Sequence, residues 1–318
     1  MYKDKTICVV VPAYNEEKLI GTVLDAMPDY VDNVIVVNDG STDKTANIAK
    51  EKGVIVITHD KNRGVGAAFR SGVAKGLELN TDIMVNIDAD GQFNPRDIHK
   101  LIEPIIEGQA DLVTASRFKD NRMKPEMPKI KYWGNVCMAR LISFLIGQKF
   151  YDVSCGFRAY SKEALLRLNL FGKFTYTQET FLDLAFKGLT FKEIPILVKG
   201  VREHGESRVF KNLFHYGYNT LQIIFRAFRD YKPLRFFGYI AGSLLLVGFL
   251  LESLLISYYI ATGSFTPYKV IGFVGGFLIG IGILVLITGF LADMLYRIRV
   301  NQEEILYQKK RELFTPKD

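Results

Sequence analysis

The sequence predicts an α/β fold: a mostly parallel sheet with helices on both faces, followed by interfacial amphipathic helices and a two-helix transmembrane hairpin. Two observations carry this. In the first 110 residues, apolar runs of strand length alternate with stretches of helical periodicity, the rhythm of successive βαβ units. After residue 235, two apolar runs each exceed the roughly 20 residues needed to cross a bilayer.

The strand and helix pairs are, in order, TICVVV with NEEKLIGTVLDAM, NVIVV with STDKTANIAKEK, VIVITH with GVGAAFRSGVAKGLEL, and DIMVNID with PRDIHKLIEPII. These strands are apolar throughout rather than alternating, which suits a parallel sheet covered on both faces. Asn15, Ser41 and Asn94 stand at N-cap positions, and Pro95 is placed for a first helical turn. The first apolar run ends at Pro12 and reads as a strand rather than a signal peptide.

The hairpin follows from residues 236–260, FFGYIAGSLLLVGFLLESLLISYYI, and residues 270–295, VIGFVGGFLIGIGILVLITGFLADML. Lys211, Arg226, Arg229, Lys232 and Arg235 precede the first span, Arg297, Arg299, Lys309, Lys310 and Arg311 follow the second, and only Lys269 lies between. The positive-inside rule then predicts a multi-pass protein of the cell (plasma) membrane, with both termini and the large domain cytoplasmic. Glu252, inside the first span, is costly in lipid and is expected to face the interior of the helix pair without a catalytic role.

Two stretches mix basic and aromatic residues with apolar positions at helical spacing: residues 129–148, which hold the single tryptophan, Trp133, and residues 209–235. Both read as amphipathic segments lying at a membrane surface. The expected organisation is a cytoplasmic α/β domain over 1–208, an interfacial linker over 209–235, spans at 236–260 and 270–295, and a basic cytoplasmic tail over 296–318.

Composition narrows the function classes. With 48% hydrophobic and 24% charged residues over 318 positions, the chain is a folded one. Three cysteines without a C-x-x-C pair argue for a reducing compartment and buried thiols rather than a structural zinc site. A net charge of +7 fits an anionic membrane or a phosphorylated substrate, whereas an acidic rim on the sheet argues against nucleic acid. Gly64-Val65-Gly66 lacks the third glycine of a dinucleotide fingerprint and follows the wrong strand, and the four histidines have no metal-ligand spacing.

Ligands of such sheets bind beyond the C-terminal ends of the strands, here residues 12–16, 38–41 and 88–92. Asp88 and Asp90 are two apart, so extended geometry would point both carboxylates to one side. Such a pair can hold Mg²⁺ or Mn²⁺, which take one or two carboxylates and complete their shell with water and phosphate oxygens, with Gln92 as a further oxygen ligand. A solvated loop is the alternative for a bare D-x-D.

The PAYNEE, VNDGSTDKT and NIDADGQ segments, at the ends of strands one, two and four, resemble the inverting family 2 glycosyltransferases of the GT-A fold. The likeness extends through SRF at 116–118, DVSCGFRAY at 152–160 and the R-x-x-G-x-S-R stretch from 202 to 208. With the two-span hairpin, the chain resembles the polyprenyl-phosphate glycosyltransferases of the dolichol-phosphate mannose synthase type. The resemblance implies that Pro12, Tyr14 and Glu16 contact the base or ribose of a nucleotide-sugar donor and that Asp39 binds the nucleotide. It implies that Asp88, Asp90 and Gln92 surround the metal, and that Arg117, with Lys131 as a second cation, meets the phosphate of a polyprenyl-phosphate acceptor. Arg202, Ser207 and Arg208 would lie on a loop closing over the donor diphosphate.

The expected reaction is inverting transfer of a hexose from GDP-mannose, UDP-glucose or UDP-N-acetylglucosamine to dolichyl or undecaprenyl phosphate, by an enzyme that could be homo-oligomeric. A processive polysaccharide synthase of the same fold is one alternative. It would need a base for its hydroxyl acceptor, for which Glu179 is the place to look, and a Q-x-x-R-W motif that does not occur here. A non-catalytic nucleotide-binding membrane adaptor is the other.

Overall fold

Strand β1 (Ile7–Ala13) lies in the interior of the sheet because it has nothing to offer water: Ile7, Cys8, Val9, Val10 and Val11 are all fully buried. Successive strand residues point to opposite faces, so burial of all five means both faces are covered. The computed structural model describes residues 1–170, 176–199, 222, 225, 226 and 228–314, and these form two compact units. One contains residues 1–223 and 306–318, the other residues 224–305.

In the first unit, β1 pairs in parallel with β2 (Asn33–Asn38) on one side and with β4 (Ile83–Asn86) on the other, and β2 pairs in parallel with β3 (Ile55–Thr58). Helices α1 (Ile20–Asp25), α2 (Thr45–Glu51), α3 (Val65–Glu78) and α4 (Ile98–Ile106) are interleaved with these strands and follow them in chain order. Three further strands complete a seven-stranded sheet: β5 (Leu112–Ser116), β6 (Arg158–Ser161) and β7 (Phe191–Pro195), in the order β3-β2-β1-β4-β6-β5-β7. Strand β6 runs antiparallel between β4 and β5, so the sheet is mixed.

Helix α5 (Lys129–Ile146) buries Ala139, Ile142 and Leu145 while leaving Trp133 70% and Phe144 82% exposed. Short α6 (Lys162–Arg167) is capped by the Ser161 hydroxyl, which accepts from the Ala164 N–H, and α7 (Tyr176–Phe186) precedes β7.

Two of the expected helix starts are corrected. Asn15 is not an N-cap: its backbone sits at φ 55°, and α1 begins only at Ile20. Ser41 likewise precedes α2 by four residues; its hydroxyl accepts the Asn15 N–H at 2.9 Å instead. Short polar side chains satisfied by neighbouring backbone groups favour turns as readily as caps. Asn94 does cap, accepting from the Arg96 N–H at the head of a 3₁₀ turn that contains Pro95.

The second unit is built on α8 (Pro233–Thr262) and α9 (Lys269–Phe314), both long and apolar enough to cross a bilayer. Their large side chains point outward, Phe273 being 79% exposed, whereas Gly248, Gly275, Gly282 and Gly289 are buried. That is the reverse of a helix in an aqueous core and suits one solvated by lipid. Glu252 lies against the glycine face of α9, its Oε1 3.0 Å from the Cβ position of Gly275. Helix α9 runs past residue 295 without interruption to Phe314, so the basic segment expected as a tail continues the helix.

Candidate active site at the C-terminal edge of the sheet

The loops after β1 and β2 are laced together. The Asn15 N–H donates to Ser41 Oγ, Asn15 Oδ1 accepts from the Thr42 N–H at 2.8 Å, and the Glu16 N–H donates to Thr45 Oγ1 at 2.8 Å. Pro12 lies on β1 opposite Val37, and Tyr14 and Glu16 follow it, half-buried. The Asp39 N–H donates to the Ala13 carbonyl at 2.9 Å, which brings Asp39 to the same rim.

Asp39 is 3% exposed, and most of its acceptor capacity is committed. Oδ1 takes the Arg63 N–H at 2.9 Å and His59 Nδ1 at 2.7 Å, and Oδ2 takes the Gly64 N–H at 2.8 Å. His59 Nε2 meets Ser71 Oγ at 2.9 Å. The carboxylate therefore fixes the backbone at residues 63 and 64 and retains one lone-pair site, on Oδ2. Nothing in the spacing of His59 pointed to this role, because the contact spans 20 residues.

Extended geometry does not persist to Asp90, which corrects the expectation drawn from it. Strand β4 ends at Asn86, and the chain turns through Gly91 at φ 69°, a left-handed conformation that glycine adopts without strain. Asp90 is buried, and its Oδ1 accepts the Gln92 N–H at 3.1 Å, the local bond of an Asx turn. The Gln92 Nε2 donates to the Lys199 carbonyl at 3.0 Å, so the amide oxygen is the end of this side chain with the chemistry to meet a cation.

Next to Asp88 stands Gly156, where a Cβ would be 3.0 Å from Asp88 Oδ2 and 3.2 Å from the Tyr176 hydroxyl. Tyr176 accepts from Asn86 Nδ2 at 2.7 Å, and burial together with the negative Asp88 holds its pKa well above the usual tyrosine value. Among the described residues, no group of three His, Cys, Asp or Glu side chains is placed to hold a metal. The donor set of this turn, two carboxylates and an amide oxygen, has the chemistry of a cation that takes most of its shell from water and phosphate oxygens.

Arg117, directly after β5, is gripped side-on. Its Nε donates to Asp152 Oδ2 at 2.6 Å and its Nη2 to Asp152 Oδ1 at 2.9 Å, with a further bond from Nη2 to Ser154 Oγ at 2.7 Å. Asp152 is fully buried, and the adjacent guanidinium holds its carboxyl below the usual range against the opposing effect of burial. Ser154 Oγ in turn donates to Asn135 Oδ1 at 2.9 Å on α5, one helical turn from Lys131. Arg117 is thus bonded through Ser154 to the helix that carries Lys131.

Arg158, also fully buried, donates to the Val153 carbonyl at 2.8 Å and to the Thr177 carbonyl at 2.6 Å, tying this loop to the first turn of α7, where Glu179 sits. Asp152, Gly156 and Arg158 fall inside the DVSCGFRAY stretch, but Arg117, Asp88 and Thr177, which they meet, lie outside it. Arg202, Ser207 and Arg208 lie outside the described residues.

Residues 8–168 match the domain described as Glycosyl transferase family 2, just over half of the chain. The chain belongs to this family. It is 40% identical over 215 residues to a UDP-N-acetylglucosamine–dolichyl-phosphate N-acetylglucosaminyltransferase of Methanococcus voltae, a match covering 61% of this chain and 85% of that one. It is 29% identical over 302 residues to the glycosyltransferase AglJ of Haloferax volcanii, covering 93% and 95% of the two chains. Its fold matches glucosyl-3-phosphoglycerate synthase of Mycobacterium tuberculosis, solved with Mn²⁺, UDP and glucosyl-3-phosphoglycerate, at a TM-score of 0.56 and 25% identity over 70% of this chain and 80% of that one. The glycosyltransferase therefore has a GT-A sheet, and the Mn²⁺ in this neighbour supports a divalent metal cofactor.

Proposed function

We propose that this membrane glycosyltransferase moves a sugar from a nucleoside-diphosphate donor to a polyprenyl phosphate, with inversion at the anomeric carbon. One observation carries the reading: the short loop of residues 152–156 touches both halves of the site. At one end Asp152 and Ser154 hold Arg117, and at the other Gly156 abuts Asp88. A cation-binding turn and a phosphate-binding arginine held by one loop are what moving a sugar from a departing diphosphate onto an acceptor phosphate requires, since the two like charges must be held close together. The Methanococcus relative, whose name states a dolichyl-phosphate acceptor, supports the acceptor class.

In this reading Pro12, Tyr14 and Glu16 line the base and ribose, and the remaining lone pair of Asp39 Oδ2 receives a donor from the nucleotide. Asp88, Asp90 and the Gln92 amide oxygen hold Mg²⁺ or Mn²⁺, which supplies counter-charge to the departing diphosphate. Arg202, Ser207 and Arg208 add donors to that diphosphate from the segment outside the described residues. Arg117 and Lys131 orient the acceptor phosphate.

That phosphate, with a second pKa of roughly 6, is substantially ionised near neutral pH and attacks without a general base. The work of the protein is positioning and charge neutralisation. Helices α8 and α9 anchor the chain, the exposed apolar face of α5 lies at the membrane surface, and the positive-inside rule places both termini in the cytoplasm.

The test is a donor screen with UDP-N-acetylglucosamine, UDP-glucose and GDP-mannose, labelled in the sugar, against a short polyprenyl phosphate in membranes containing the full chain. Label on the lipid phosphate with at least one donor is the expected result. Nucleotide binding without transfer from any donor would leave the adaptor reading, and transfer to a sugar hydroxyl would leave the synthase reading.

A further inference from the structure

Glu193, on β7, is 6% exposed and is not absorbed by the site as described so far. Its carboxylate accepts the Tyr151 N–H, at 3.1 Å to Oε1 and 3.0 Å to Oε2, and the Asp152 N–H at 2.8 Å to Oε1. We propose that Glu193 is a positioning residue for Arg117: it fixes the 151–152 turn so that the Asp152 carboxylate meets the guanidinium side-on. This deepens the function proposed above and rests on Arg117 meeting the acceptor phosphate.

Three observations support it. Strand pairing places both ends of the chain of contacts on one piece of sheet, because Arg117 leaves β5 one residue after Ser116, and β5 pairs with β7 through Thr114 opposite Glu193 and Ser116 opposite Pro195. Lys119, two residues beyond Arg117, donates to the Glu193 carbonyl at 2.7 Å, so the segment carrying the arginine is tied to the same residue.

The chemistry of the contact also calls for a carboxylate. Two adjacent N–H groups converge on one side chain, and an amide offers a single acceptor oxygen with an NH₂ that would face one of the donors. Burial and the neighbouring Asp152 charge push the Glu193 carboxyl above the usual range, although the two backbone donors and Lys119 act against this. A second buried carboxylate beside Asp152 is therefore retained against both desolvation and like-charge repulsion. Holding a generic turn would not need one.

The experiment uses the full chain in four forms, wild type, Glu193→Gln, Arg117→Ala and the double variant, assayed with a short polyprenyl phosphate and titrated separately with the nucleotide. Glu193→Gln is expected to raise the acceptor KM about tenfold, with kcat at saturation and nucleotide affinity within about twofold of wild type. In the Arg117→Ala background it should change the acceptor KM by less than about twofold, since a residue acting through Arg117 has nothing left to position. Glu193→Asp, which keeps two acceptor oxygens, should fall between wild type and Glu193→Gln, and it serves as the reporting variant if Glu193→Gln does not fold.

An unchanged acceptor KM in Glu193→Gln, or the same factor with and without Arg117, would overturn the inference. Failure of the underlying reading looks different, because Arg117→Ala itself would then leave the acceptor KM unchanged.

Discussion

The Asp88 carboxylate occupies the space in which a side chain on Gly156 would begin, with Oδ2 3.0 Å and Oδ1 3.1 Å from the position of that missing Cβ. The glycine is there for space. Substitution Gly156→Ala must push Asp88, Tyr176 or both by a few tenths of an ångström, and a displacement of that kind at the proposed cation turn degrades alignment far more than folding. Transfer should fall on the order of 10²-fold, with the acceptor KM little changed. A variant with full activity would mean that Asp88 can shift freely and does not hold the metal.

Removing the counter-charge itself should be more severe. Asp90→Ala is expected to abolish transfer and to weaken nucleotide-sugar binding, and EDTA should do the same to the wild-type chain, with recovery on adding Mn²⁺ or Mg²⁺. Full activity of Asp90→Ala in metal-free buffer would end the assignment of Asp88, Asp90 and Gln92.

In the proposed reading the arginines divide between the two substrates. Arg202→Ala should lower turnover through the donor diphosphate, whereas Arg117→Ala should raise the apparent KM for the lipid phosphate and leave nucleotide affinity nearly intact. Calorimetry with the nucleotide separates them. Loss of nucleotide binding in Arg117→Ala as complete as in Asp90→Ala would show that donor and acceptor sites are not partitioned in this way.

How much of this was legible in sequence depended on the range of the interaction concerned. Strands β1 to β4 announce themselves as unbroken apolar runs, and the family segments at the ends of β1, β2 and β4 locate the rim. The later strands LVTAS, RAYS and FKEIP are mixed with polar residues, and β6 enters antiparallel, which no periodicity foretells. The candidate site was legible as a set of single residues but not as contacts. Arg117 and Asp152 are 35 positions apart, and Asp152 and Glu193 are 41 apart, so only the fold reveals that one holds the next.

Those two carboxylates should leave opposite marks on stability against pH. Asp152 is held below its ordinary pKa in the folded chain, so it contributes stability above the unfolded carboxylate range that is lost as pH falls through its lowered folded value. Glu193 is raised, so its folded form binds a proton more tightly and its contribution declines as pH rises past the ordinary glutamate range. Melting of the detergent-solubilised chain from neutral pH down to below about pH 4, the ordinary carboxylate range, should show Asp152→Asn losing most near pH 7, by about 3–5 kcal/mol as expected for one partner removed from a buried ion pair, with a flatter acid limb below that range. An acid limb unchanged in Asp152→Asn would mean the pair does not titrate as a buried unit.

The last turns of α9 belong to the catalytic unit, and this shapes what truncation will do. Tyr307 donates to Glu163 Oε2 at 2.8 Å with the Arg167 guanidinium 4.0 Å from its ring centroid, and Lys310 donates to the Leu168 carbonyl at 2.9 Å and to Asn169 Oδ1 at 3.0 Å. A fragment ending at residue 208 loses these contacts together with the spans. They are part-buried pairs at the edge of the unit, each contributing roughly 0.5–1 kcal/mol, so the fragment should fold but melt earlier than the catalytic unit of the full chain. The combined Tyr307→Phe and Lys310→Ala variant of the full chain should reproduce that lower melting without loss of membrane attachment. Every residue assigned to donor chemistry lies before residue 209, so the fragment should still bind nucleotide and metal. Transfer to a long-chain polyprenyl phosphate should suffer most, because the anchor and the basic, aromatic linker are gone, while a short, water-soluble acceptor should suffer less. Equal losses on both acceptors would mean that the hairpin shapes the active site itself, and loss of nucleotide binding would place the domain boundary beyond residue 208.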